Sequence, residues 1–472
     1  MHNRPFVSAD EIRARFSAAM SQMYRQEVPQ YGTLVDLVAD VNARALAADS
    51  SLQRQFAQGC DQGRLGVERH GAIRLGTADE LATVRRAFAV MAMQPVGYYD
   101  LSVAGVPVHA TAFRPVADES LARNPFRVFT SLLRLELIED EQLRAAALQI
   151  LHQRGIFTPR ALELIAHHER CGGLTSEEAD EFVTEVRETF RWHSEATVSA
   201  ATYRQLQDAH RLIADVVCFK GPHINHLTPR TLDIDAAQAE MPRRGISAKE
   251  IIEGPPARKV PILLRQTSFK ALEERVRFLD EGQTSPGTHT ARFGEIEQRG
   301  MALTRKGRAL YDKLLQRARQ ASETHPQDRG YEAALARVFA DFPDDLGSIR
   351  RAGLGFFRFS LTPRGQAAAG TGLGARDVED LIAEGLMVAE PITYEDFLPV
   401  SAAGIFQSNL GGNGAKTYSA TAAKAAFEAA LGAQVLDEIE LYEQAQAGSL
   451  AQVRQQLDEV GAQAAHLVEA RV

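Results

Sequence analysis

Three short stretches hold residue types that could bind a metal ion: ERHGAIRLG (68–76), GPHINHLTPR (221–230) and FGEIEQRG (293–300). His70 and Arg74 stand four apart, and in an extended chain both project from one face. That pairs a ligand imidazole with a fixed cation, as a carboxylate-bearing substrate requires. His223 and His226 form an HxxH. On a helix this spacing could chelate one ion, but Gly221, Pro222 and Pro229 argue against a helix there. In an extended chain the two rings face opposite ways, so at most one is a primary ligand. The other then supports it or touches substrate. Glu295 and Glu297 share one face of a strand with Arg299. They read either as cross-strand charge pairs facing water or as a metal-ligating carboxylate with a neighbour.

Two histidines and one carboxylate on separate extended segments have the composition of a facial triad. Such a set holds iron(II) and leaves positions open for a chelating substrate and dioxygen. Ligand types alone do not choose the metal, and a glyoxalase-like lyase or isomerase would use zinc, nickel or manganese at the same residues. A cysteine–zinc site is disfavoured, because only Cys218 lies near any of these segments and Cys60, Cys171 and Cys218 form no CxxC. His152, His167, His168, His193, His210 and His466 fall in polar helical contexts and read as solvated, as do His2 near the terminus and His325 in a proline-containing loop.

The elements that must position these residues alternate between helical and extended. Ser8 with Glu11 and Thr77 with Glu80 have the capping-box form, so the first hundred residues read as helical apart from the extended 64–76. Strands are expected at 106–116 and 126–137, helices over 139–214, and a β-rich run at 214–235. Further strands are expected at 260–272, 291–303, 356–361, 386–398 and 402–408, with two helices beyond 420. The expected class is α+β with antiparallel strands, in one elaborated metal-binding domain over 1–420 and a helical segment over 421–472.

Apolar residues make up 45%, enough for a large core. Lys and Arg number 53 against 61 Asp and Glu, a net charge of −8, which argues against non-specific nucleic-acid binding. MALTRKGRALYDKLLQRARQ (301–320) has the look of a winged-helix tail, so a regulator is an alternative, as is an inactive binding protein on the same fold. No apolar run approaches the ~20 residues of a membrane span, and the odd cysteine count points to a reducing compartment. The expectation is a soluble cytoplasmic protein without nucleic-acid or membrane partners. The residue pattern specifies no oligomeric state.

The heptad Phe293–Arg299 resembles the F-x-E-I-x-Q-R strand of 4-hydroxyphenylpyruvate dioxygenase and its relatives in the vicinal-oxygen-chelate superfamily, in which the glutamate of F-x-E binds iron. The chain more widely resembles the bacterial 2-oxoadipate dioxygenase/decarboxylase family, also called hydroxyglutarate synthases. RHGAIR, GPHINHLTPRTLDID and RFGEIEQRG carry that likeness. The resemblance implies His70, His226 and Glu295 as Fe(II) ligands. It implies Arg74 as the catalytic clamp on a substrate carboxylate, and substrate contacts from His70 and from the backbone around Val400 and Ser401. His223, Glu297, Arg265 and Gln266 are supporting candidates. The implied fold is a half-closed antiparallel β-barrel of βαβββ-type modules with extensive helical insertions. The implied reaction converts 2-oxoadipate and O2 to 2-hydroxyglutarate and CO2, a step of lysine catabolism.

Overall fold

The computed structural model describes residues 5–50, 52–53, 63–280, 283–321, 329–398 and 420–458. Its chain packs as two compact units that interleave in sequence. One comprises Met1–Gly254, Arg265–Gln298 and Asp396–Leu436; the other comprises Pro255–Leu264, Arg299–Glu395 and Asp437–Val472. The expected 421–472 segment contributes helix Ala420–Leu431 to the first unit and Glu438–Asp458 to the second.

The first unit holds a mixed sheet of β1 (Arg69–Leu75), β2 (Gln94–Asp100), β3 (Val108–Arg114), β4 (Arg127–Leu133) and β5 (Leu227–Pro229), in the order β2-β3-β4-β1-β5. Helix Ala78–Ala89, opened by a complete Thr77/Glu80 capping box, leads from β1 to β2. A strand, a helix and three further strands follow in order, with the short helix Asp118–Arg123 between β3 and β4, and β1 lies beside β4. Antiparallel pairing was expected throughout, but β1 and β4 run parallel because the chain crosses over between them. Every residue of β3 and β4 is buried, which fits strands covered on both faces.

Helices α1 (Ala9–Glu27) and α2 (Pro29–Ala48) bury Phe16, Met20, Tyr24, Tyr31, Leu34 and Leu37 in the core of this unit. Three expectations differ from the structure here. Strand β2 lies where the sequence read as helical; Pro95 and Gly97 interrupt any helix, and Gly97, at φ +73°, sits in a bulge between Val96 and Tyr98. The run 214–235 begins in helix Arg211–Val217 and ends in helix Ile234–Glu240, leaving only β5 as strand. Leu212 through Val217 are all buried, so packing overrides the β-preference of Val216 and Val217. The hairpin of β7 (Glu273–Asp280) and β8 (Gln283–Thr290) was not foreseen, although Val276 and Phe278 alternate inward. Strands β6 (Leu264–Ser268) and β9 (Glu295–Arg299) form within two of the expected extended segments, and they pair with each other.

In the second unit, β10 (Phe357–Leu361) and β11 (Met387–Pro391) pair antiparallel beside helix Glu438–Asp458. Helix Arg305–Ala321 occupies the stretch with a winged-helix look. Its Arg305, Arg308 and Arg317 each pair with a carboxylate, Asp437, Asp312 and Asp341 respectively, so they do not stand as an open basic stripe. Among the described residues no helix is long and apolar enough to cross a membrane.

Candidate metal centre

Strand alternation selects which β1 side chains reach the site. Ile73 and Leu75 enter the apolar core, which leaves Glu68, His70, Ala72 and Arg74 on the opposite face. Gly71 is required where it stands, because an added Cβ would lie 2.5 Å from Ile224 Cδ1 and 3.0 Å from the His226 carbonyl oxygen. His70 is in register with Arg127 of β4 and Thr228 of β5. His226 immediately precedes β5, and Glu295 opens β9, which meets the chain after β5 through the Arg230–Glu297 bridge.

The three segments are clamped from behind. Tyr24 Oη of α1 lies 2.8 Å from the Asn225 carbonyl oxygen and 2.7 Å from that of Phe293. The backbone N–H of Phe293 donates to the Asn225 carbonyl at 3.0 Å. One buried phenol thus ties together the residues next to His226 and near Glu295.

His70, His226 and Glu295 are all buried, and each offers a ligand atom within 4.8 Å of the other two. Glu295 Oε2 is the focus. His70 Nε2 lies 3.0 Å from it and His226 Nε2 3.7 Å; Thr228 Oγ1 donates at 3.0 Å and Gln266 Nε2 at 2.9 Å. The other nitrogen of His70, Nδ1, lies 3.0 Å from Glu297 Oε2. The two glutamates therefore stand at opposite nitrogens of one imidazole, Glu295 in hydrogen-bond contact with Nε2 and Glu297 in ion-pair contact with Nδ1.

The electrostatics separate the two histidines. Burial alone would lower the His70 pKa, but the Glu297 charge and the contacts with Glu295 outweigh it and raise the value. His226 is pushed down to about 3, first by burial, with the positive charges of His70 and Arg74 adding to it against Glu295. Glu295 is lowered despite burial, because His226 and His70 favour its charged form.

The donor set fits a divalent metal. His226 is held neutral, as a ligand must be, and its Nδ1 is buried with no hydrogen-bond partner among the described residues. Its Nε2 stands too far from Glu295 for a hydrogen bond. A buried ring nitrogen without a partner costs about 1–3 kcal/mol, and an ion taken by Nε2, the nitrogen nearest Glu295, would give that atom its partner. The carboxylate on His70 Nδ1 is the usual support for a ligating histidine.

The other candidates divide. Arg74 is buried and donates from Nη1 to Asp215 Oδ2 at 2.6 Å. Gln266 reaches Glu295, whereas Arg265 is bound to Asp235 by two contacts of 2.6 and 3.0 Å. His223 lies 3.3 Å from Asp215 Oδ1 and is thus engaged outside the ligand set. Val400 and Ser401 lie outside the described residues.

Several site residues escaped the sequence reading. Phe397 packs edge-on against His70 and Phe129, at ring-centre distances of 4.9 and 5.3 Å. Its backbone N–H donates to the Tyr99 hydroxyl, and the neighbouring Asp396 takes a bidentate pair from Arg114. Glu68, two residues before His70, accepts from Arg64, Arg127 and Arg230, which fastens the start of β1 to β4 and to the chain after β5. Asp215 and His289 form a further pair at 2.9 Å. The alternation of ERHGAIR, which puts Glu68 on the face of His70, is a signal that could have found Glu68; no such signal exists for Asp215, which sits in a helix.

Comparison with known proteins gives this geometry a family. A family model described as 2-oxoadipate dioxygenase/decarboxylase matches residues 16–409. The 2-oxoadipate dioxygenase/decarboxylase of Escherichia coli (strain K12) is 60% identical over 440 residues, spanning 93% of this chain and 97% of its own. Its counterpart from Pseudomonas putida is 59% identical over 456 residues, spanning 96% and 98%. The crystal structure of the hydroxyglutarate synthase from Pseudomonas putida in complex with 2-oxoadipate superposes with a TM-score of 0.89 at 57% identity, covering 96% of this chain and 99% of that one. With a family model spanning most of its length and relatives at this identity, the chain belongs to the 2-oxoadipate dioxygenase/decarboxylase family.

Proposed function

We propose that the protein is an Fe(II)-dependent dioxygenase that converts 2-oxoadipate and O2 to 2-hydroxyglutarate and CO2, with His70, His226 and Glu295 holding the iron. The observation that carries this reading is the buried convergence of two imidazoles and one carboxylate in a chain of this family. In the net reaction the C1–C2 bond breaks and C1 leaves as CO2. C2 becomes a carboxylate with one atom of O2, and the second atom becomes the hydroxyl on the adjoining carbon. All atoms balance without a second oxo acid.

Iron(II), when bound, supplies dioxygen activation and chelation of the 1-carboxylate and 2-oxo group. The chain's own part is orientation and exclusion of water. Glu297 fixes the His70 ring through Nδ1, and Thr228 and Gln266 fix Glu295. Phe397 and Phe129 supply an apolar wall beside His70. Arg74, on the His70 face of β1, meets the far carboxylate, and the family resemblance assigns a substrate contact to Val400 and Ser401 as well.

The vicinal-oxygen-chelate half-closed barrel belongs to the same reading, supported by the order β1-helix-β2-β3-β4, in which a six-residue helix, Asp118–Arg123, joins β3 to β4. So do a place in lysine catabolism, which rests on the family resemblance, and a cytoplasmic location, which rests on the cysteine content. The test is oxygen uptake by iron(II)-loaded protein over a panel of 2-oxo acids. Stoichiometric O2 consumption and CO2 release with 2-oxoadipate support the reading; turnover without O2 consumption would favour a glyoxalase-like lyase or isomerase.

A further inference from the structure

A second group of charged and aromatic side chains gathers around Asp215, outside the ligand set. Asp215 is 5% exposed and lies in helix Arg211–Val217, whose other buried positions are apolar. Its Oδ1 lies 2.9 Å from His289 Nε2 and 3.3 Å from His223 Nε2, while Oδ2 accepts from Arg74 Nη1 at 2.6 Å. Behind it, His289 Nδ1 lies 2.8 Å from the Tyr203 hydroxyl. The His289 ring also lies parallel to Trp192, with centres 6.2 Å apart.

Two imidazoles and a carboxylate repeat the composition of the metal set, but here a guanidinium already occupies the carboxylate's second oxygen. The cation of this cluster is Arg74. An arginine side chain is long and carries much rotamer freedom, roughly 2 kcal/mol of it, so its aim depends on what holds it. Arg74 lies four residues along β1 from His70, about 13 Å at strand rise, on the same face. An anion that fixes one end of the guanidinium sets the plane and direction of its fork, and a carboxylate is the planar match to that fork.

We propose that Asp215, braced by His289 and Tyr203, is the positioning residue that aims Arg74 at the far carboxylate and thereby sets the preference for dicarboxylic over monocarboxylic 2-oxo acids. The inference rests on the proposed function and extends it. It also gives His223 of the HxxH a place, as a support of Asp215.

The test compares wild-type, Asp215→Asn and His289→Gln proteins, each loaded with iron(II), on 2-oxoadipate and on 2-oxohexanoate. The second acid has the same chain length and lacks the far carboxylate. The readout is kcat/KM on the diacid divided by kcat/KM on the monoacid, with iron content measured in parallel. Asp215→Asn keeps the shape of the side chain and removes its charge. It is expected to lower the ratio roughly tenfold or more, chiefly through KM for the diacid, with iron content as in the wild type. His289→Gln leaves the Asp215–Arg74 pair and loosens its support, so about a threefold fall is expected, and this variant decides if Asp215→Asn does not fold. A ratio unchanged in the variants, or a loss that falls equally on both acids or accompanies lost iron, overturns the proposal. Wild-type protein that consumes oxygen with neither acid fails the proposed function itself, and the inference with it.

Discussion

Glu295 and Glu297 lie two residues apart on one strand face, yet they end on opposite nitrogens of the same imidazole. Strand alternation accounts for the shared face and not for the division of labour, which follows from where β1 brings His70. Glu295 also takes Thr228 and Gln266 and stands among all three candidate ligand atoms, whereas Glu297 acts through His70. Glu295→Gln is therefore expected to abolish iron binding. Glu297→Gln should weaken it by roughly 10–100-fold while a measurable site remains. Metal content after anaerobic loading and desalting checks both, and the reverse order would exchange the two roles. His70, Arg74, His226 and Glu295 were visible in sequence as residue types at suggestive spacings. The choice of His226 over His223 was not, because both sit in extended chain and only the fold shows that His223 faces Asp215. Arg265 and Gln266 show the same limit: adjacent on one strand, one reaches Glu295 and the other is bound to Asp235.

At the scale of elements, the candidate ligands arrive on chain segments far apart in sequence and are brought together by backbone contacts. Tyr24 of α1 stands at their junction, against the carbonyls of Asn225 and Phe293. Tyr24→Phe keeps the ring and removes the hydroxyl, leaving those carbonyls poorer by one buried donor. The expected cost is about 1–3 kcal/mol of stability, with a weaker grip on metal because His226 and Glu295 lose their common tether. Denaturant unfolding and metal titration check this, and a variant unchanged in both would show that the β-strand contacts suffice. Strands β1 and β9 were legible because glycine punctuation and alternation mark them. The end of helix Arg211–Val217, from residue 214 on, falls in the run expected to be β-rich, since its valines signal β structure while burial of Leu212 through Val217 decides for helix. The β7–β8 hairpin went unseen because its strands are largely exposed and polar, so only Val276 and Phe278 carried an inward signal.

For the whole molecule, the buried titratable groups set an acid limit on stability. Burial, aided by Arg134, pushes His109 down to about 4, and burial pushes His226 down to about 3. Both folded-state values lie below the ordinary ~6.5. Their contribution is thus intact above about pH 6.5 and is lost as pH falls toward 4, where the unfolded chain takes up protons the folded one refuses. His70 works the other way, its raised value favouring the folded state in acid. Glu68 and Asp215, held well below the carboxylate range by Arg64, Arg230 and Arg127 and by Arg74 against the effect of burial, lose their contribution only at still lower pH. Metal-free protein should therefore lose stability between pH 6.5 and 4, with His109 responsible for on the order of 3 kcal/mol at about 1.4 kcal/mol per pH unit. His109→Gln should flatten that slope in thermal melts; an unchanged slope would contradict it. The α+β class was plain from the sequence, but the interleaving of the two compact units was not, because it depends on which distant segments pack together. The reaction belongs to this scale as well, and the most direct test of the central claim is turnover of 2-oxoadipate by iron(II)-loaded protein under 18O2, with the product's mass determined. The account predicts 2-hydroxyglutarate carrying two labelled oxygens, one in the new carboxylate and one in the hydroxyl. A product without label, or an isomer formed without oxygen uptake, would contradict it.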